Sequence, residues 1–565
     1  MTWWQNARKN LFFQSFILTF LLFAISYLTV GWWNDAYQHM FDTAISGQFT
    51  DYYLPSGYNP FPEYMSGAAF IFNRLGHIYP IQWNAFFLNG ILFVSIWLLF
   101  RQLLRYSFGF PLVSRLFLLA FFSLLFFESV VLYHMVRVTM FAGIAAMSFL
   151  IVNDENKLLS KRALPYLLLF ILALWIRSNV HLFILIFVTA VFILHKKPLK
   201  PLIPFWASFV VFFLIYCKIV FWTDHTHDLN SYFLYNTEFK LYHVGQFTPN
   251  LKLTEPLDSV KYAAIRHDIL GDEQNLTPDF YQRINIFSNL NKFSFSQVMY
   301  AWYTFLWAIS QNVHFIVADL LLIFCYILLG GNLLKNYRLK TFGLFIFFYM
   351  VVFGICFIKM ENRFLVPFQV LFLFTIISLH KPKLFSEKKN IYYLIGFSLI
   401  VFPLSARYIN MKLDFSKDET YKFKESYEYL KQNYSDHIMV INTGFVTQNR
   451  PYETFYQKDY FKKFYFYNYY ACQLGKWYRP YIEKECNCDA GKFYTFYDYL
   501  QQRKEPVLLA NQADKMDVLQ QYLAQVHHKD YHFSLATHQG PERDSIGFRI
   551  KGFTGPMKLY EMGKP

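Results

Sequence analysis

The chain has 565 residues, of which 55% are hydrophobic, 22% aromatic and only 16% charged, and its mean hydropathy is +0.21. Soluble domains carry about 25% charged residues, so this composition excludes an ordinary cytosolic enzyme, a disordered chain and a small disulfide-stapled protein. The apolar residues lie in long runs, and runs of about 18 or more predict membrane-spanning helices. The sequence therefore predicts a polytopic membrane protein with a mainly α-helical fold.

The net charge of +15 does not indicate nucleic-acid binding. Lys and Arg lie in short clusters between the apolar runs, where they most simply set the orientation of the chain in a membrane. Six cysteines are too few for a disulfide framework. The three in the tail, Cys472, Cys486 and Cys488, allow one disulfide and a leftover thiol if the tail faces an oxidising compartment.

Eleven apolar runs are candidate spans, which makes about eleven transmembrane helices and places the two termini on opposite sides of the membrane. Two pairs of runs, 116–153 and 163–195, are separated by only a few residues and predict tight helical hairpins. The runs are 11–31, 82–100, 116–133, 138–153, 163–178, 181–195, 202–222, 315–334, 341–358, 365–379 and 391–405.

The orientation follows from the basic residues. With the N-terminus in the cytoplasm, the cytoplasmic connections hold 18 Lys or Arg. The short outer segments hold five, namely Arg74, Arg137, Arg177, Lys359 and Arg363. This positive-inside bias predicts a multi-pass plasma (inner) membrane protein with a cytoplasmic N-terminus.

Three polar stretches then face outward: loops 32–81 and 223–314 within a membrane core of residues 1–405, and a tail of residues 406–565. In the second loop, the semi-apolar section Val298–Ile309 is suited to lie on the membrane surface. The tail is long enough for its own small core.

The tail alternates helix-like and strand-like segments, which predicts a compact extracytoplasmic α/β domain. The helix-like segments are Tyr421–Tyr434, Phe493–Gln502 and Lys515–Val526. The strand-like segments are His437–Asn442, Pro506–Ala510 and Phe548–Phe553.

The first outer loop is the richest in candidate catalytic residues. Asp35, His39 and Asp42 are spaced four and three apart, so they would share one face of a helix. A partly desolvated carboxylate at the membrane boundary is suited to act as a general base. Further on, Glu63 offers a second carboxylate, and aromatic residues such as Tyr58 could stack on sugar rings. The alternative is that these are ordinary polar residues beneath an interfacial aromatic belt.

Cations at the outer ends of spans suggest an anionic ligand such as a lipid phosphate. Arg137, Arg177, Lys359 and Arg363 lie on the face where topology disfavours positive charge. The alternative is that they pair with lipid headgroups or with nearby acids such as Glu361. Three more ionisable residues fall within or near spans, namely Glu128, Lys218 and Asp319.

This layout resembles the GT-C class of membrane glycosyltransferases, which take sugar from a polyprenyl-phosphate carrier. The resemblance is carried by Asp35, Gly47, the Pro60/Pro62 element and Arg74-Leu75-Gly76 in the first loop, and by Arg363-Phe364-Leu365-Val366-Pro367 later in the chain. Ala36 stands in place of the second acid of the usual pair, and Phe61 interrupts the usual Pro-Pro pair.

The resemblance implies an inverting glycosyltransferase that acts at the outer membrane face. Asp35 would deprotonate an acceptor hydroxyl, and Arg363 would stabilise the polyprenyl phosphate that leaves, with Arg137, Arg177 or Lys359 in support. The acceptor would be a glycan, a lipid or a protein. We expect no cofactor; a divalent metal would require Asp35 and Glu63 to converge, and we do not favour it.

Two other functions remain open. An O-antigen or exopolysaccharide polymerase or ligase would use the arginines and the 223–314 loop as its main catalytic elements and would not need Asp35. A non-enzymatic transporter or assembly subunit would require no catalytic residue in the outer loops.

Overall fold

The computed structural model describes part of the chain. The described residues are 10–30, 33–34, 71, 74–75, 78, 83–133, 135–153, 156–178, 180–221, 253–267, 272, 274–277, 280, 295–312, 317–320, 335–356, 362–380, 391–441, 463–466, 487, 493–536, 545–546 and 557–563.

The described helices and strands follow in chain order, and residues 317–320 are also helical. They are α1 Leu11–Val30, β1 Trp33–Asn34, α2 Trp83–Tyr106, α3 Leu112–Val131, β2 Leu132–Tyr133, α4 Met135–Val152, α5 Leu164–Ile176, α6 His181–Leu194, α7 Ile203–Phe221, α8 Asp258–Arg266, α9 Phe295–Gln311, α10 Lys335–Cys356, α11 Asn362–His380, α12 Ile391–Tyr434, β3 Ile438–Ile441, β4 Lys463–Phe466, α13 Phe493–Gln502, β5 Val507–Gln512, α14 Ala513–His527, β6 Phe533–Leu535, β7 Ser545–Ile546 and β8 Met557–Met562.

The structure is mostly helical, and a helix lies at ten of the eleven predicted runs. The remaining run, 315–334, is described only at 317–320. By length and composition, four helices are able to cross a membrane: Phe86–Gly109, Leu112–Val131, Met135–Val152 and Ile391–Met411. Six further apolar helices of 10–17 residues accompany them in the described part of the chain.

Helix α4 is the centre of the bundle, and nearly all of its residues are buried. It packs mainly along α2, α5 and α11. Small residues in its middle, including Gly143 and Ala146, let the neighbouring helices approach closely, as membrane helix interfaces require. The expected short connection between α3 and α4 is confirmed, but α4 lies deeper in the bundle than a simple two-helix hairpin would place it.

Side-chain contacts bring the ends of four helices together. The ammonium group of Lys197, after α6, donates to the carbonyl of Ile151 at the end of α4 over 2.7 Å. Tyr106, at the end of α2, donates to the carbonyl of Ile377 near the end of α11. Tyr166 of α5 links the two pairs, because its hydroxyl accepts a hydrogen bond from Gln102 of α2 over 2.7 Å and its ring stacks on Phe149 of α4. These four ends therefore lie together, next to the basic clusters of the sequence.

Helix α9 places its apolar residues on the exposed face. Trp302, Tyr303 and Trp307 are exposed, whereas Ala301 and Ala308 are buried. The helix has no charged residue, and its Trp302 and Phe305 rings contact Phe353 of α10. This inverted pattern suits contact with a membrane rather than with water.

The strands of the tail form a mixed sheet in the order β4-β3-β5-β8-β6, with β7 also paired to β8. Strands β4, β3 and β5 are parallel, and β8 is antiparallel to its neighbours. The helix-like segments Phe493–Gln502 and Lys515–Val526 are confirmed as α13 and as most of α14. The strand-like segments His437–Asn442 and Pro506–Ala510 correspond to β3 and β5, whereas 548–553 lies outside the described residues.

Two differences from the sequence prediction concern α12 and α8. The predicted span 391–405 and the predicted helix Tyr421–Tyr434 are parts of one continuous 44-residue helix. From the second outer loop, α8 contributes Val260 and Ala264 to the hydrophobic core of the tail. The loop and the tail therefore share one core.

Candidate functional site

The segment that follows α1 pairs with the segment that follows α3. Trp33 and Asn34 form a short parallel bridge with Leu132 and Tyr133. Because Asp35 follows Asn34 directly, the first outer loop leaves α1 beside the turn that leads into α4. The pairing brings the start of this loop to the end of the bundle where α4 begins.

Arg137 lies in the first turn of α4 and pairs with Glu128 in the last turn of α3. One guanidinium nitrogen lies 3.4 Å from the Glu128 carboxylate, and another donates to the Glu128 carbonyl over 3.3 Å. Both side chains are buried, with 4% and 2% exposed. Tyr408 of α12 lies within electrostatic reach of both charges. Since an isolated buried charge is very costly, Glu128 gives Arg137 the acidic partner that the alternative interpretation expected.

Arg177 lies at the same end, where α5 stops. Its backbone leaves the helix with φ −160° and ψ 105°. The imidazole of His181, at the start of α6, contacts the Arg177 carbonyl through Nδ1 at 2.9 Å and the Thr139 carbonyl of α4 through Nε2 at 3.1 Å. The turn carrying Arg177 is therefore joined to α4 two residues after Arg137.

A second polar cluster lies inside the bundle around Asp319. One of its carboxylate oxygens accepts hydrogen bonds from the Tyr349 hydroxyl of α10, over 2.8 Å, and from the Gln369 amide of α11. Asp319 is 1% exposed, and its other oxygen has no hydrogen-bond partner. Unlike Glu128, this carboxylate has no Lys, Arg or His partner among the described residues. A buried ionisable group without a charged partner is a candidate functional residue.

Arg363 is the second residue of α11. The next residue, Phe364, contacts the ring of Phe183 in α6 with 5.6 Å between centroids, so α11 begins at the same end of the bundle as α6. The other predicted site residues lie outside the described residues; they are Asp35, His39, Asp42, Tyr58, Glu63 and Lys359.

No family model, no curated protein and no solved structure matches this chain.

A third polar cluster joins the 223–314 segment to the tail and was not predicted. Asp272, fully buried, accepts hydrogen bonds from the Tyr522 hydroxyl over 2.7 Å and from the Asn275 amide over 2.9 Å, and its carboxylate lies 2.6 Å from His527 Nε2. We call Asp272, Tyr522 and His527 the loop–tail clasp. No sequence signal could have revealed it, because Asp272 and His527 are 255 residues apart.

The electrostatics of the clasp favour an ionised Asp272. Burial alone would raise the pKa of this carboxyl. The hydrogen bonds from His527, Tyr522 and Asn275, together with the charge of His527, outweigh burial and lower the pKa below its ordinary value. The clasp is therefore held by a carboxylate acceptor.

Within the described ranges, no group of three or more His, Cys, Asp or Glu side chains is placed to hold a metal ion. Asp35 and Glu63 lie outside those ranges, so the expectation that no metal takes part stays a prediction. Cys356 is a buried free thiol, which agrees with a packing role, and the three tail cysteines lie outside the described residues.

Proposed function

We propose that this chain is an integral membrane glycosyltransferase that moves a sugar from a polyprenyl-phosphate carrier to an acceptor at the outer membrane face. The observation that carries the proposal is the pairing of Trp33–Asn34 with Leu132–Tyr133. This pairing places Asn34, the residue before Asp35, beside the turn that precedes Arg137. A general base and cations at one end of the bundle suit a reaction in which a hydroxyl loses a proton and a phosphate departs.

In the proposed reaction, Asp35 accepts the proton of the acceptor hydroxyl while that oxygen attacks the anomeric carbon of the lipid-linked sugar. The new glycosidic bond forms with inversion as the bond from the anomeric carbon to the phosphate oxygen breaks. The electron pair of the broken bond stays on the polyprenyl phosphate. No cofactor is assigned.

The leaving phosphate would be stabilised mainly by Arg363, with Arg137, Arg177 or Lys359 in support. Arg137 would have a smaller share, because the Glu128 carboxylate already offsets its charge. His39, Asp42, Glu63 and Tyr58 are assigned to the acceptor and sugar.

The proposal includes eleven spans, a cytoplasmic N-terminus and an extracytoplasmic α/β domain over residues 406–565. The grouping of the four helix ends supports the alternation of the spans. The core shared by α8 and the tail supports placing loop 223–314 and the tail on the same side. A reporter fused after residue 565 should be active outside the cytoplasm; cytoplasmic activity would contradict both the topology and the site.

The proposed base is tested by Asp35→Asn in the full chain in nanodiscs, supplied with a pool of polyprenyl-phosphate sugars. General-base catalysis contributes about 10²- to 10⁴-fold, so transfer should fall by that factor while the unfolding temperature stays unchanged. Asp51→Asn, in the same outer loop, is the matched control and should retain transfer.

The other outcomes separate the alternatives. Full activity of Asp35→Asn together with loss of activity in Arg177→Gln would favour the polymerase or ligase. No transfer by the unsubstituted protein from any donor in the pool would contradict the enzyme proposal and favour the transporter or assembly subunit.

A further inference from the structure

A buried imidazole joins the segments that carry Arg137 and Arg177. His181 is fully buried. Its Nδ1 lies 2.9 Å from the carbonyl oxygen of Arg177, and its Nε2 lies 3.1 Å from the carbonyl oxygen of Thr139. Thr139 is two residues after Arg137, so one ring bridges the start of α4 and the turn between α5 and α6.

The ring, which belongs to α6, is held in place from α4 and α5. A Cβ atom at position 143 would lie 2.7 Å from the ring carbon Cδ2 of His181 and 2.8 Å from Nε2, so glycine leaves the space that the ring fills. Phe170 of α5 meets the ring edge-on, with 5.2 Å between centroids. A neutral imidazole donates from one nitrogen at a time, and this packing fixes the ring in either tautomer.

The bridge also satisfies a helix end. Carbonyls in the last turn of a helix lack partners within the helix, and the ring of His181 gives the Arg177 carbonyl one in the tautomer that carries its proton on Nδ1. The Thr139 hydroxyl donates to the carbonyl of Ala173 in α5 over 2.7 Å. The Thr139 hydroxyl and the His181 ring thus both join α4 to α5. Of these two contacts, only the His181 ring reaches the turn that carries Arg177.

We propose that His181 is a positioning residue that fixes the Arg177 turn against α4, so that Arg177 and the start of α4 present one geometry to the phosphate of the lipid carrier. This inference rests on the proposed function, because it gives Arg177 a phosphate to bind. His181 itself does not contact the phosphate.

The test compares three substitutions at this position with a control in the same helices. His181→Leu removes both nitrogens and keeps an apolar side chain. His181→Asn and His181→Gln each keep one amide donor, at reaches close to those of Nδ1 and Nε2. Thr139→Val removes the hydrogen bond to Ala173 and leaves the Thr139 carbonyl in place.

Binding of a short-chain polyprenyl monophosphate to the full chain in nanodiscs is the first readout. His181→Leu should weaken binding by about tenfold, since loosening a charged contact to a phosphate is costly. At least one amide variant should recover part of that loss. Thr139→Val should lower the unfolding temperature without weakening binding. Unchanged affinity in His181→Leu, with only a lower unfolding temperature, would overturn the inference and leave the histidine a purely structural role.

A second readout separates this inference from the proposed function. Phenylglyoxal modifies accessible arginines, and mass spectrometry reports the rate at Arg177. His181→Leu should change that rate, and Thr139→Val should not. If the unsubstituted protein fails to bind the polyprenyl phosphate, the proposed function is contradicted. An unchanged Arg177 rate in His181→Leu would then contradict the positioning role as well.

Discussion

The loop–tail clasp provides a direct test of how the 223–314 segment docks on the tail. Asp272→Ala removes the acceptor of three side chains, those of His527, Tyr522 and Asn275. Leaving one buried polar group without its partner costs about 1–3 kcal/mol, and the three costs are not additive. We therefore expect the docking of the loop segment on the tail to lose about 3 kcal/mol.

Hydrogen exchange in α8 measures this loss directly, because Val260 and Ala264 bury this helix in the tail core. A change of about 3 kcal/mol corresponds to roughly 100-fold faster exchange of the α8 amides. Asp498→Ala is the matched control. That carboxylate also accepts a tyrosine hydroxyl, from Tyr531 over 2.7 Å, but it lies within the tail. Exchange in α8 should not change in this variant.

The same clasp should weaken in acid. The pKa of Asp272 is lowered in the folded protein, so its contribution is fully present above the unfolded pKa of about 3.9. It is lost as the pH falls through the lowered folded value. Exchange in α8 should therefore be insensitive to this group from pH 5 to 8, after correction for intrinsic rates, and should rise below about pH 4. Slow α8 exchange in Asp272→Ala at neutral pH would refute the proposed energetic role of the clasp.

Three further predictions concern the bundle, all measured by thermal unfolding in detergent. Arg137→Ala should destabilise the protein by about 3–5 kcal/mol because the buried Glu128 carboxylate loses the cation that offsets its charge; Glu128→Leu combined with Arg137→Met should recover most of this loss, and no recovery would contradict the pairing. Gly143→Ala should cost about 1–3 kcal/mol through overpacking, whereas Gly343→Ala, whose Cβ would meet nothing within 4 Å, should be neutral or stabilising. Asp319→Leu should cost about 2–3 kcal/mol because its tyrosine and glutamine donors lose their acceptor; Asp319→Asn keeps an acceptor and should cost less.

The helices were the most predictable part of the chain. Apolar runs set their positions to within a few residues, as in the first run, predicted over 11–31 and found over Leu11–Val30. The prediction divided α12 in two because its composition changes from apolar to polar. Backbone hydrogen bonds continue across such a change, and no Gly or Pro interrupts residues 404–434, so the helix does not stop.

The site was less predictable, because its contacts join distant parts of the chain. The predicted topology singled out the arginines as candidate site residues. The Arg137–Glu128 pair could not be predicted, because it depends on how α3 and α4 are rotated relative to each other. The bridge between β1 and β2 has only two residues on each side, too few to show an alternating pattern. Asp319 was singled out as an ionisable residue near a span, while its hydrogen bonds to Tyr349 and Gln369 depend on helix packing.

The length of α12 sets the distance between the tail sheet and the Arg137–Glu128 pair. At 1.5 Å per residue, the helix from Tyr408 to Tyr434 measures about 40 Å, and β3 begins at Ile438, shortly after the helix ends. Tyr408 lies near the Arg137–Glu128 pair. Helix α12 therefore fixes the distance between this pair and β3. Under the proposed function, an acceptor shorter than this distance could contact the arginines without contacting the sheet.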